Sequence, residues 1–220
     1  MFVAILLAGP GGWSAEGPHG AGKGQAHYQQ GLKAFSKRDW PTAIRQLRWA
    51  LEYLPKSPAI HNSLGLAYLQ SGDVDHAAIE FRRAIALKPD FAEAYYNMAR
   101  ALERRDDEGG AAQFYQWAVH ADLPKAEAHD ARGFLLVHRG DLPGAESEFE
   151  AAIKDKPSLA SAHFHLGTAF WLQEEYSEAI TELKKALALD PSNAKARYDL
   201  GLASRHMNPT KERSPGSIER

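Results

Sequence analysis

An all-α stack of repeated helix pairs is the fold this sequence predicts, and three rows of residues predict it. Gly31, Gly65, Gly133, Gly167 and Gly201 recur at a spacing of 34 residues, with Ala99 in the missing slot. Counted in windows that begin at Gly24, Pro58, Ala92, Ala126, Ala160 and Ala194, this row is position 8. Position 20 is Ala43, Ala77, Ala111, Ala145 and Ala179, and position 27 is Ala50, Ala84, Ala118, Ala152 and Ala186. Position 24 is large and apolar throughout: Leu47, Phe81, Tyr115, Phe149 and Leu183. A fixed period of this length marks supersecondary units that bury their apolar faces on one another.

Each window divides into two apolar-periodic stretches of about a dozen residues, the helical period. In the second window, Ala59 to Gln70 carries Leu64, Tyr68 and Leu69, and Ala77 to Leu87 carries Phe81, Ala84 and Ile85. Small residues at positions 8, 20 and 27 allow close helix approach, because interaxial distance is set by the side chains at the contact. Large residues at positions 11 and 24 fill the space beside them, although Ala34 leaves position 11 small in the first window. The break between the stretches carries Asp39, Asp73, Asp107, Asp141 or Glu175 at position 16. A carboxylate there accepts from free amides of the next first turn and suits its dipole. Pro41 and Pro143 at position 18 and Pro58 at position 1 fit a first turn, where the missing N–H costs little. Pro55, Pro89, Pro157 and Pro191 at position 32 end the second helix, and Pro124 does so one residue late in the third window.

The small–large–small register over residues 24–207 resembles the tetratricopeptide repeat (TPR) family. The resemblance implies a right-handed α-solenoid of five helix pairs, 24–57, 58–91, 92–125, 126–159 and 160–193. Residues 194–207 match a first helix alone, with Leu200 and Gly201 retained but polar Ser204 at position 11, as a capping helix requires. Residues 208–220 are rich in Pro, Ser, Lys, Glu and Arg and are expected to be disordered, as is the Gly-rich 1–23 segment. The junction of windows three and four departs from the pattern. Glu108 takes position 17, Gly109 and Gly110 weaken a helix start, and Arg132 occupies a row otherwise held by Leu64, Met98, Leu166 and Leu200. Three readings of this junction stand: a looser repeat with Arg132 turned outward, a hinge, and an internal ion pair.

Net charge of −2 with both signs dispersed offers no basic stripe for nucleic acid. The lack of cysteine removes disulfides, thiolate zinc sites and a cysteine nucleophile together. Phe2 to Ala8 is an apolar run followed by Gly9–Gly12 and Trp13-Ser14-Ala15, resembling the end of a secretory signal with cleavage after Ala15. No Lys or Arg precedes that run and Trp13 is bulky for its place, so a non-cleaved terminus in the cytoplasm is the alternative. The run is too short to span a bilayer. Gly17-Pro18-His19-Gly20-Ala21-Gly22-Lys23 spells most of a phosphate-binding loop, but Gly24 replaces the magnesium-binding hydroxyl and no strand directly precedes it; a flexible linker is expected. His27, His61, His129 and His163 share position 4, so their spacing is the repeat's and not a metal site's. No catalytic constellation emerges, and no cofactor or metal is expected.

The resemblance implies that first helices line a concave face through positions 2, 5, 9, 12 and 13. The groove residues so placed are Tyr28, Asn62, Leu66, Tyr96, Arg100, Phe134, Phe164, Trp171 and Tyr198, with Asn97 from the adjoining position-6 row. Tyr96 and Phe164, at position 5, are the expected aromatic anchors. In the opposite reading several of these rings pack between first helices instead, Phe35 and Trp171 above all. The Lys/Asn/Arg pattern of chaperone-tail clamps is missing, and the position-6 asparagine ladder of TPR glycosyltransferases is broken. The expected function is a non-enzymatic scaffold that holds a partner peptide or segment in its groove. The alternatives are an envelope assembly factor using second-helix residues such as Trp49 and Trp117, and an accessory fragment of a larger enzyme.

Overall fold

The computed structural model describes residues 18–207, which form eleven α-helices and, among those residues, no strand. In chain order these are α1 (Pro18–Ser36), α2 (Trp40–Tyr53), α3 (Pro58–Ser71), α4 (Val74–Leu87), α5 (Ala92–Glu103) and α6 (Glu108–His120). They continue with α7 (Lys125–His138), α8 (Leu142–Asp155), α9 (Ala160–Leu172), α10 (Tyr176–Leu189) and α11 (Ala194–Met207). Successive helices pair as α1/α2 through α9/α10, and α11 packs on α10 and α9.

The repeat rows are the core. All ten alanines of positions 20 and 27 and all five large residues of position 24 are fully buried. Position 8 is small because position 24 lies on it. A Cβ built on Gly65 would stand 2.6 Å from a Phe81 ring carbon, and one on Gly31 or Gly167 would stand 2.8 Å from Leu47 or Leu183. That is inside van der Waals contact, so a methyl there must push the helix pair apart.

Helix starts follow from position 16. Asp39, Asp73, Asp107 and Asp141 accept from the amides of Thr42, His76, Gly110 and Gly144 at 2.9–3.2 Å. Such a cap contributes about 1 kcal/mol. Glu175 makes no such bond, contrary to the sequence expectation; its extra methylene carries the carboxylate past the first-turn amide. Second helices end two residues before Pro55, Pro89, Pro157 and Pro191. Within each pair, position 15 turns the chain through left-handed backbone: Arg38, Gly72, Asp106, Gly140 and Glu174 have φ of 59°, 89°, 58°, 80° and 65°. Only two of the five are glycine, so the other three carry the side-chain penalty of that region.

A staple not read from the sequence closes each repeat on the one before it. The position-4 side chain donates to the carbonyl of the preceding position-32 proline: His61 to Pro55 at 3.0 Å, Tyr95 to Pro89 at 3.0 Å, His163 to Pro157 at 3.0 Å, and Arg197 to Pro191 at 2.6 Å. The histidines turn their other nitrogen to position 23 of their own window, as in His61–Glu80 at 2.6 Å and His163–Glu182 at 2.7 Å. In the fourth window, where the proline is displaced, His129 keeps its Glu148 bond at 2.7 Å and has no such carbonyl bond. Arg132 also donates to Glu148, at 3.1 Å, so the irregular junction holds an ion pair at its margin.

The helical array begins earlier than expected. α1 extends back to Pro18, so residues 18–23 are helix and not linker. Proline suits a first turn, and Gly24 lets α1 lie on the end of α2, since a Cβ there would stand 2.8 Å from Leu54 Cγ. The signal-like 1–15 segment and the 208–220 tail lie outside the described residues.

Two stability predictions follow from this packing. Ala84→Leu inserts three carbons into a site with no exposure and should cost roughly 1–3 kcal/mol in denaturant unfolding. Glu174→Gly relieves the left-handed turn and should raise stability by up to about 1 kcal/mol, read from the urea midpoint at unchanged m-value.

Candidate functional site

The inner face is built by the first helices α1, α3, α5, α7 and α9, and its polar groups bond along the stack. Position 5 of one window meets position 6 of the next: Tyr28 with Ser63 at 3.3 Å, Asn62 with Asn97 at 3.1 Å, and Asp130 with His165 at 2.7 Å. Tyr96 has Ala131 opposite it and donates instead to Asp130, with its oxygen also 2.8 Å from Ser161.

His165 is the meeting point of three first helices. Nδ1 lies 2.7 Å from Asp130 on α7 and Nε2 lies 2.6 Å from Glu103 on α5. Glu103 also accepts from Tyr115 on α6 at 2.5 Å. Burial alone would push the imidazole pKa down, but the Glu103 and Asp130 carboxylates overcome it and lift His165 from 6.5 to about 10. Asp130 shows the reciprocal effect: burial opposes ionisation, yet the His165 charge and the hydrogen bonds it receives hold its pKa below the usual value. Burial, followed by these carboxylates, drives the Tyr96 and Tyr115 hydroxyls well above 10. The site is therefore an imidazolium between two carboxylates with both tyrosines neutral.

One residue contacting both its neighbour and its next neighbour requires tight curvature. Ala131 stands beside the bridge without exposure, and side chains join α5 to α9 past α7, Glu103 to His165 and Tyr96 to Ser161. The curl brings the two ends of the array together. Arg38 donates to the Leu189 carbonyl at 3.1 Å. Arg104 reaches from α5 to the Leu69 carbonyl at 2.6 Å, Ser192 at 3.2 Å and the Asp190 carboxylate. The concave face is thus a cavity of about 1160 Å³, walled by first helices on one side and by the turn at 189–192 on the other. Arg100 lines it, half-buried, with no hydrogen bond or ion pair among the described residues.

Two TPR family models match this chain, a tetratricopeptide repeat model over residues 28–90 and a TPR repeat model over 172–204. The solved structure of MamA superposes with a TM-score of 0.51 at 26% identity, covering 79% of this chain and 94% of that one. With the 34-residue register seated as α1/α2 to α9/α10, the family is decided. The chain is a tetratricopeptide repeat protein.

PilW, described as a type IV pilus biogenesis factor, shares the fold at 20% identity and a TM-score of 0.58, covering 86% of this chain and 95% of that one. The small glutamine-rich tetratricopeptide repeat-containing protein 2 of Mycosarcoma maydis is 31% identical over 93 residues, 42% of this chain and 26% of that protein. This TPR chain spans about a quarter or less of the length of the curated relatives it matches.

Of the ten groove residues expected from TPR positions, Asn62, Leu66, Tyr96, Asn97 and Arg100 line the cavity. The two expected anchors are corrected. Tyr96 is 3% exposed and committed to Asp130, and Phe164 is 6% exposed and packed with Leu183, Ala186 and Ala196. Curvature turns position 5 into the seam between first helices. Phe134 packs between Tyr115 and His165, at ring distances of 4.8 and 5.3 Å. Trp171 is half-buried with its indole N–H lacking a partner, and Tyr28 is half-buried against Ser63. Tyr198, at 64%, stays exposed beyond the cavity. Arg38, Trp40, Ile44 and Asp190 line the cavity and were not expected. They sit at or near the breaks between helices, where the first-helix position rule does not reach.

The pH dependence of stability carries the bridge's signature. His165 is raised in the folded state, so its contribution is complete below its unfolded value of 6.5 and is lost as pH rises through about 10. The neutral tyrosines add a further loss only above 10, where unfolded tyrosine ionises. Unfolding free energy of the TPR array should decline between pH 6.5 and 10, and His165→Gln should flatten that interval while keeping the decline above it.

Proposed function

We propose that this TPR protein is a non-enzymatic interaction scaffold whose concave cavity encloses a segment of a partner protein. The observation that carries the reading is Arg100. A guanidinium offers five donors, and here none is used by the described residues although the group is half-buried in a walled cavity. A partner carbonyl or carboxylate can take the place of water on these donors. Leu66, Phe35 and Ile44 supply apolar wall, and the Asn62–Asn97 pair retains amide groups for main-chain bonds. Binding energy in such sites concentrates in a few desolvated contacts. The partner is to be found by crosslinking and pull-down from the native organism. With it in hand, Arg100→Gln should weaken binding by about 1.5–3 kcal/mol, the worth of a charged hydrogen bond. Trp49→Ala and Trp117→Ala should leave the calorimetric affinity unchanged. Loss confined to the tryptophan variants would overturn the cavity reading.

A second reading is favoured by one surface feature. Trp117, 43% exposed, packs edge-on against Phe114 at 4.9 Å and Tyr95 at 6.0 Å on the second-helix side of the third window. An exposed aromatic cluster suits assembly with an envelope partner, and PilW, which shares the fold, is described as a type IV pilus biogenesis factor. That reading takes the Phe2–Ala15 segment as an export signal. Amino-terminal sequencing of the mature protein should then begin at Glu16, and an intact Met1 would contradict export.

A further inference from the structure

The sixth window has a first helix and, among the described residues, no second helix beside it. In windows one, two, four and five the position-8 glycine is buried under the position-24 side chain of its second helix. Gly201 is the same residue of α11, and a Cβ built there would meet nothing within 4 Å. A glycine inside a helix weakens it relative to alanine, and in the four filled sites it accommodates a large apolar side chain from a partner helix, a place that Ala99 fills in the third window. Gly201 has no such occupant among the described residues.

The position-4 residue makes an independent statement. His61 and His163 each face two groups, the preceding proline carbonyl and a glutamate on the second helix. Arg197 makes the first of these bonds, to Pro191 at 2.6 Å, and no second one is formed among the described residues. Its remaining N–H groups are exposed beside Gly201 on the same helix face, four residues away. In three windows the glutamate that fills this role immediately precedes the large apolar residue: Glu80-Phe81, Glu148-Phe149 and Glu182-Leu183. Residues 208–220 do not carry these groups in the same register. At positions 20, 24 and 27 they place Arg213, Ser217 and Arg220, where the filled windows have alanine, a large apolar residue and alanine.

We propose that the Arg197–Gly201 face of α11 is a socket for a helix of a partner protein bearing Ala-x-x-Glu-Φ-x-x-Ala, where Φ is a large apolar residue. The apolar side chain seats on Gly201, the alanines allow close approach, and the glutamate pairs with Arg197. This surface lies on α11 and is separate from the concave cavity, so the two are tested independently.

The probe is a fluorescent, hydrocarbon-stapled peptide of residues 175–190, which carries Ala179, Glu182, Leu183 and Ala186 and is held helical so that the cost of nucleation is removed. Titrated with the full chain, it should bind saturably. Gly201→Leu, which fills the socket with a better helix former, should weaken binding at least about ten-fold, with far-UV circular dichroism unchanged. Arg197→Glu should weaken it as well, and a Glu182→Lys peptide should restore binding to that variant. The crossed charge pair reads recognition even if one variant is less stable. Absence of saturable binding, or affinity indifferent to Gly201→Leu, would overturn the proposal. So would a dimer of the free chain in sedimentation that Gly201→Leu dissociates, because the occupant would then be a second copy.

Discussion

The concave face depends on one buried interaction, the His165 imidazolium held between Glu103 and Asp130. A repeat array needs only nearest-neighbour contacts, and a bond from α9 to α5 goes beyond them. It draws three first helices around a single ring, and the array curls until Arg38 reaches the Leu189 carbonyl. Two buried carboxylates would repel each other strongly without the cation, and removing one member of such a set leaves an uncompensated charge in low dielectric. The bridge is therefore a specifier of curvature more than a source of stability. An apolar trio of similar volume would pack as well and would not dictate the same bend.

The same logic explains why the polar inner face is not a display of free ligands. Tyr28, Asn62 and Asp130 are each joined to the next repeat. Buried polar groups must find partners, and in a tightly curved array the nearest partners are on the adjacent first helix. Arg100 stands out against that background because it lines the cavity and its guanidinium makes no hydrogen bond among the described residues, with Asp190 and Glu103 acting on it only through space. The bonds from position 4 to the proline carbonyls fasten windows two, three, five and six to the turn before each, with histidine, tyrosine and arginine serving alike. What they share is a donor at the same reach.

The fold was legible because it is set by sterics that repeat. A Cβ at Gly65 collides with Phe81, every Ala at positions 20 and 27 is fully buried in the helix contact, and a proline two residues on stops the second helix. Each leaves a mark at a fixed spacing. The site was legible only in part. Arg100 and Leu66 were found because they obey the first-helix rule. Tyr96 and Phe164 obey it too, yet are buried, because the array curls about the Glu103–His165 contact, between residues 62 positions apart that share no row. Glu175 failed as a cap through one methylene, a difference that a carboxylate row conceals. The helix at 18–23 was hidden by glycines that read as linker, while the neighbouring Gly24 serves close packing against Leu54.

The claim that this bridge sets the curvature is tested most directly by a distance across the cavity. The chain has no native cysteine, so spin labels at Ser36→Cys and Ser158→Cys, both exposed on the cavity wall, report it without background. Double electron–electron resonance at neutral pH should give one narrow, short distribution. In His165→Gln, with helicity retained by circular dichroism, the distribution should lengthen and broaden as the array uncurls. Superimposable distributions in a folded His165→Gln variant would show that curvature is fixed elsewhere and would contradict the account.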